Sequence, residues 1–449
     1  MLYFLIQSAR VGITSKHIKL IYKGVLYMRR WVILIMLLIA TLINFADKSS
    51  TSVASVFIIK DFNLSYVQYG LLGSIFFWFF SLASVVGGAW SDKIGTKKML
   101  SILLVAWTLL QFGTFFITSF SFLLLYRILL GVFEGPAGPV VISHLSKVFP
   151  EERRGMAISV CNAGAMIGAM ALTPVLVHVN QIYGWRISFV ALGVVSLIWV
   201  LIWGLIKDKS KTSVESTVEK LPVEKFKWSE FKPILFSPTL LFTLLNLFAS
   251  FWLVVWISVW LPVYLVKGIH LSQTKMGLAV LSIGLINMVV SMSASIWSDK
   301  LFKKSNNLRS SRVLFSSILQ VISAVLLFSV TLIKAPVFVI IILGVALGLT
   351  TNILNVGPII MMSLLPNRRG LMISLGISFQ NLSGIVGPLV CGYLIDLAGN
   401  NTLRGFNSTI EFTAALIIVG CTLFAIFAKP DSPLSKNFSH IDLVEPKEI

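Results

Sequence analysis

Acidic residues are what this chain has least of: 18 Asp and Glu in 449 residues, with charged residues of all kinds at only 12%. A soluble chain is about one-quarter charged, so this scarcity excludes an extensive hydrated surface. Cysteine is nearly absent as well. Cys161, Cys391 and Cys421 lie far apart inside apolar runs, which excludes a disulfide framework and any thiol spacing suited to a metal. The histidines and acids form no cluster with metal-ligand spacing, and no nucleophile motif occurs, so the sequence argues against an enzyme and calls for no cofactor. The opening MLYFLIQSAR has no basic region before its apolar run and no small-residue cleavage site after it, which argues against a secretory signal.

Apolar sequence is what the chain has instead, at 56% of residues and a mean hydropathy of +0.89. It comes in long blocks rather than at amphipathic spacing, the pattern of a polytopic membrane protein. Spans are expected near 31–58, 67–90, 99–118, 122–143, 156–179, 187–206, 238–266, 276–298, 312–333, 337–361, 370–396 and 411–428. Each approaches the ~20 residues a bilayer requires. The expectation is an all-α fold of twelve transmembrane helices. A net charge of +19 raises the question of nucleic acid. Its distribution answers no: Arg29-Arg30, Lys97-Lys98, Arg153-Arg154, Lys207/Lys209/Lys211, Lys303-Lys304 and Arg368-Arg369 fall in alternate loops, and the other loops are nearly bare. The positive-inside rule then places both termini in the cytoplasm, in a plasma (inner) membrane.

The longest hydrophilic interior stretch divides the spans into six and six. The expected organisation is an N-terminal segment 1–30, a bundle 31–206, a flexible linker 207–237, a second bundle 238–428 and a polar, disordered tail 429–449. Residues 10–30 are basic and weakly amphipathic, as in a surface-lying segment or an over-long start. The halves echo each other: GGAWSDKIGTKK (87–98) recurs loosely as SASIWSDKLFKK (293–304), and PEERRG (150–155) as LPNRRG (365–370). Repeated six-helix units are a mark of secondary transporters, whose substrate sits between the halves near the midplane.

Four charges interrupt the apolar runs. The stretch FLLLYRILLGVFEGPAGP (122–139) carries Arg127 and Glu134, and the first span carries Asp47 and Lys48. A charge at the bilayer centre costs roughly 2.5–3.5 kcal/mol on insertion scales, so such residues face a bundle interior, pair together or line a substrate path. Arg127 and Glu134, seven apart, share a helix face about 10 Å apart along its axis. A structural ion pair is the plainer alternative. Asp47 and Lys48 point about 100° apart and need not pair with each other. Polar amides (Gln380, Asn381, Asn352, Asn355) suit substrate hydroxyls or carbonyls, or helix–helix hydrogen bonds. Gly164/Gly168 and Gly344/Gly348 mark close helix packing, and Trp252, Trp256 and Trp260 core or interface positions.

Together these features resemble the major facilitator superfamily over about residues 30–430. Its loop signature G-x-x-x-D-[RK]-x-G-x-[RK]-[RK] is met by Gly88, Asp92, Lys93, Gly95, Lys97 and Lys98. The resemblance implies two pseudo-symmetric six-helix bundles and gating by that loop. Asp92 would face the N-terminus of helix eleven near Gly370, whose partial positive charge favours an anion, and Asp299 would face helix five near Gly155. Within the superfamily, the chain looks most like the anion:cation symporters, which include sialin-type and sugar-acid (hexuronate) porters. Asn44-Phe45-Ala46-Asp47-Lys48 is similar to that family's N-Y-x-D-R, and Arg127-x-x-x-Gly131-x-x-Glu134-Gly135-Pro136 to its helix-four motif. Trp260-Leu261-Pro262-x-Tyr264 and Gly184-Trp185-Arg186 are similar too. Phe45, Lys48 and Phe80 depart from the tyrosines and arginine of several sugar-acid porters. Lost hydroxyls and a point charge in place of a bidentate fork leave the substrate unidentified.

The function this implies is proton-coupled uptake of a small organic anion, such as a sugar acid or other carboxylate, by a monomer working by alternating access. Arg127 and Lys48 would bind the anion with Asn381, Gln380, Phe45 and Phe80, while Asp47 and Glu134 handle protons. Sodium competes as the coupling ion. Rival readings are a drug or metabolite:proton antiporter, an organophosphate exchanger and a non-transporting sensor.

Overall fold

The computed structural model describes residues 15–206 and 228–431. The start of the N-terminal segment, most of the linker and residues 432–449 of the tail lie outside the described residues. All regular structure among those described is helical. Twelve helices among them are long and apolar enough to cross a membrane: α1 Met28–Val53, α2 Tyr66–Ile94, α3 Thr96–Phe116, α4 Phe120–Val148, α5 Glu152–Tyr183, α6 Trp185–Leu205, α7 Pro238–Gly268, α8 Gln273–Ser305, α9 Arg309–Val330, α10 Pro336–Leu364, α11 Arg369–Leu397 and α12 Thr402–Phe427. The fold is all-α, two six-helix bundles in one chain. Serine side chains at 65, 119, 237 and 272 cap α2, α4, α7 and α8, supplying acceptors to first-turn N–H groups that have no partner inside the helix.

The boundaries differ from expectation where local chemistry intervenes. Residues 15–30 are not a separate segment; they continue α1 upstream as one helix, Ser15–Val53. A short helix, Ser55–Asp61, follows it. Within the expected linker, Trp228–Leu235 is helical, and buried Ile234 packs with Leu240 and Leu244. The tail is anchored at its start. Lys429 N–H donates to Thr239 Oγ1, and the Asp431 carboxylate accepts from the N–H groups of Leu308 (3.2 Å) and Arg309 (2.7 Å), capping α9. α4 bends after Glu134, because Pro136 has no N–H to give the preceding turn and its ring crowds that turn. Gly95 separates α2 from α3 at φ +89°, where a side chain would be strained.

The two bundles meet through α2 with α11 and α5 with α8. We call the membrane face carrying Lys97-Lys98 and Arg368-Arg369 the basic face, and the other the far face. Among the described residues the close cross-bundle approaches run from the far face to about mid-membrane, where Gly384 meets Phe77 and Gly284 meets Met170. A Cβ on Gly70 would overlap the Pro388 carbonyl, and one on Gly392 that of Tyr66. Tyr69 donates from its hydroxyl to Val259 O at 3.2 Å. Thr274 on α8 donates to Gln181 on α5 at 3.2 Å. The Asp396 carboxylate at the end of α11 accepts from the N–H groups of Tyr66 (3.1 Å) and Val67 (2.8 Å). With Ser65 on the next N–H, this satisfies the first three donors of α2 and places an anion at its positive end.

Toward the basic face the bundles separate. A Cβ at Gly155 or Gly370 would meet nothing within 4 Å. Asp92 is exposed and makes no ion pair among the described residues. Asp299 bonds Arg312 at 2.6 Å, within its own bundle. The expected contacts of Asp92 near Gly370 and of Asp299 near Gly155 are therefore not made in this conformation among the described residues; Asp299 is held by Arg312 instead. The molecule is closed at the far face and open at the basic face.

Asp396→Asn should loosen the far face, since hydrogen bonds to a charged group contribute about 1.5–3 kcal/mol. Spin labels at Lys60→Cys and Asn400→Cys should report longer distances in the variant; an unchanged distribution would contradict the role given to this cap.

Candidate functional site

The four membrane charges converge on α1 and α4, but not as two symmetrical pairs. Glu134, in the last turn before Gly135-Pro136, is fully buried against α1, with Oε2 3.9 Å from Lys48 Nζ. The Lys48 side chain keeps 24% of its surface exposed. Its ammonium lies 4.5 Å from the ring centroids of both Phe45 and Phe80. One helical position away, Asp47 points into the bundle and is fully buried. Gln111, Arg127, Glu134 and Lys48 are the groups that act on it. No donor meets either Asp47 oxygen, or either Glu134 oxygen, in hydrogen-bonding geometry. Such burial of a charge without donors costs several kcal/mol per ion.

Arg127 lies on the same buried helix face as Glu134, as its spacing suggests. It is 6% exposed, donates from Nε to Leu72 O and from Nη1 to Thr51 Oγ1, each at 3.1 Å, and stacks over Phe76 at 4.3 Å. It ties α4 to α1 and α2 rather than presenting itself to the opening. Lys48 is half-buried and is the more accessible of the two cations. On the other bundle, Gln380 and Asn381 are half-buried on α11, one turn toward the basic face from Gly384, which lies against Phe77. With α2 and α11 antiparallel, that register sets the two amides at about the level of Phe80. Asn352 is buried and bonds Ser316 and Ser295, and Asn355 reaches Ser291 and Ser295, so both serve helix–helix bonding.

Of the loop residues, Lys93 is exposed and Gly88 half-buried. Lys97 donates to Ile206 O at the end of α6, where a cation favours the helix dipole. Sequence reading missed Thr51, Gln111 and Asp396. The run Asp47–Ser52, unusually polar inside an apolar span, pointed toward Thr51, and Gln111 is a lone amide in an apolar run. Nothing local marked Asp396, whose partner is 330 positions away.

Comparison with known proteins agrees with this architecture. The Major Facilitator Superfamily profile matches residues 37–356, and the chain belongs to that superfamily. It is 28% identical over 418 residues to the hexuronate transporter of Bacillus subtilis, covering 88% of this chain and 93% of that protein. It is equally similar, over the same shares, to a probable sulfoacetate transporter of Cupriavidus necator. A D-galactonate transporter of Escherichia coli is 30% identical over 39% of this chain and 41% of its own length. Among solved structures, a bacterial homolog of the human lysosomal transporter Spinster, inward-facing and unoccupied, superposes with a TM-score of 0.75 at 17% identity, over 92% of this chain and 98% of that one. A D-xylose–proton symporter gives 0.70 at 16% identity, over 90% and 98%. These two likenesses concern the fold. The protein is thus a membrane transporter, not an enzyme, and its relatives carry sugar acids and other anions.

Arg127→Lys keeps the charge but not the two-point hold on Leu72 O and Thr51. It should lower the melting temperature in detergent, as expected for losing about 1.5–3 kcal/mol of charged hydrogen bonding; an unchanged melting temperature would remove Arg127 from the positioning role.

Proposed function

We propose that this protein is a secondary active transporter that takes up a small organic anion together with a proton by alternating access, with its basic face in the cytoplasm. The observation that carries this reading is the contact between half-buried Lys48 and fully buried Glu134. When Glu134 is ionised it occupies the lysine. When it is protonated, Lys48 is free to receive an anionic group from the opening. Asp47, one position away and buried beside Glu134, is the second carrier in the relay. Arg127 holds the helices in register rather than meeting the substrate directly. Gln380 and Asn381 meet the substrate from the other bundle. The hexuronate and sulfoacetate transporters among the relatives support an anionic cargo.

The cycle then has a simple logic. Opening to the cytoplasm lets Glu134 release its proton and compete with the bound anion for Lys48. The anion leaves, and Lys48 and Glu134 pair, as they do in the basic-face-open conformation. Closure of that face would bring Asp92 toward the N-terminus of α11 and Asp299 toward α5, the counterpart of the Asp396 cap on α2.

In proteoliposomes, an inward proton gradient should drive accumulation of an anion drawn from hexuronates, hexonates, sulfoacetate and aromatic carboxylates. Glu134→Gln and Asp47→Asn should cut gradient-driven accumulation about tenfold or more while leaving exchange, the effect of losing a coupling energy of about 1–3 kcal/mol. Undiminished coupling in both variants would sink the proton assignment. A loss on replacing sodium with choline would transfer the coupling role to sodium.

A further inference from the structure

We infer that the transported anion is poor in hydroxyl groups around its charge: a short aliphatic or aromatic carboxylate or sulfonate, not a polyhydroxy acid. This rests on the reading above that Lys48 receives the anion. The surroundings of that ammonium carry the inference. Two phenyl faces flank it, Phe45 and Phe80, each centroid 4.5 Å from Nζ. Phe76 extends the wall behind them, 5.6 Å from Phe80 and 5.5 Å from Phe77. A ring face holds a cation well but offers a substrate hydroxyl no partner.

The nearby polar groups of the N-terminal bundle are engaged or buried: Asn44 Nδ2 and Ser81 Oγ have no partner among the described residues but are closed off from the surface. Ser50 Oγ donates to Ala46 O at 2.8 Å and Ser49 Oγ to the same carbonyl at 2.9 Å. Thr51 Oγ1 accepts from Arg127. Arg127 itself lies beneath Phe76 with Nε and Nη1 committed. Glu134 faces Lys48. A substrate hydroxyl placed against the ring faces would give up water and find no partner there. An acid with a hydroxyl on every carbon would meet that cost several times over. A methylene or aryl group beside the charge would instead gain contact with the rings at about 25 cal/mol per Å² buried.

Polar recognition remains at one place. On α11, Gln380 and Asn381 make no side-chain hydrogen bond among the described residues; the one bond nearby is from Ser383 Oγ to the Gln380 backbone carbonyl. The site thus has an anion contact at Lys48, an apolar neck between Phe45 and Phe80, and amides for one acceptor or donor at the substrate's other end.

The test is calorimetric binding to the purified full-length protein, using sulfoacetate and 3-phenylpropionate against D-glucuronate and D-gluconate. The hydroxyl-free anions should bind at least about tenfold more tightly, a difference of about 1.4 kcal/mol. Phe45→Tyr with Phe80→Tyr, which returns two hydroxyls to the wall, should shrink that ratio. Sugar acids binding as tightly as the others, or a ratio untouched by the tyrosines, would overturn the inference while leaving the anion site standing. Failure of all four anions to bind would overturn the anion site and the inference with it.

Discussion

A lysine held against a glutamate inside an apolar bundle is the contact on which the rest of this molecule depends. Neither charge is stable alone at that depth, because desolvation costs several kcal/mol for each ion. The pair is also unequal: Lys48 is partly exposed and Glu134 not at all. An anion arriving through the opening can therefore reach the cation but not the acid. Binding the anion leaves Glu134 without its partner, and a proton is the smallest species that removes that cost. The phenylalanines on either side of the ammonium keep it in place without offering it a competing anion. Arg127 braces α4 against Leu72 and Thr51, and in the proposed exchange it would fix the distance between the partners.

The same economy of charge governs the movement of the halves. Toward the far face the bundles are joined by glycine-to-backbone approaches, by the Tyr69 hydroxyl and by Asp396 on the first turn of α2. Toward the basic face, Asp92 and Asp299 are placed on α2 and α8 but do not bridge the bundles, and Asp299 is held by Arg312 instead. A helix N-terminus capped by a carboxylate from the opposite bundle is a contact worth a few kcal/mol, strong enough to bias a conformation and weak enough to be broken in each cycle. The far-face cap is made in this conformation. In the proposed cycle its counterparts at the basic face would form in the opposite one.

Much of this was legible in the sequence because membrane insertion is a strong filter. Charge in an apolar run is so costly that Asp47, Lys48, Arg127 and Glu134 stood out, and the alternation of basic loops marked which helix ends share a face. The partners of those charges were not legible. Arg127 and Glu134 share a helix face, yet two turns apart they meet different parts of α1: Arg127 reaches Thr51 and Glu134 reaches Lys48. The Asp396 cap was invisible for a related reason: its acceptors and donors are brought together only by the docking of α11 on α2. The helix Trp228–Leu235 escaped notice because its few apolar residues gain their value from the C-terminal core they pack against. The capping of α9 by Asp431 was missed in the same way, since composition alone described that stretch as a tail.

The most direct test of the account is the number of protons taken up when the anion binds, measured by calorimetry at one pH in buffers of different ionisation enthalpy. If the anion displaces Glu134 from Lys48, binding should take up about one proton per anion, and Glu134→Gln should bind the anion with none. A binding enthalpy that does not depend on the buffer in the unaltered protein would contradict the exchange of anion for carboxylate at Lys48.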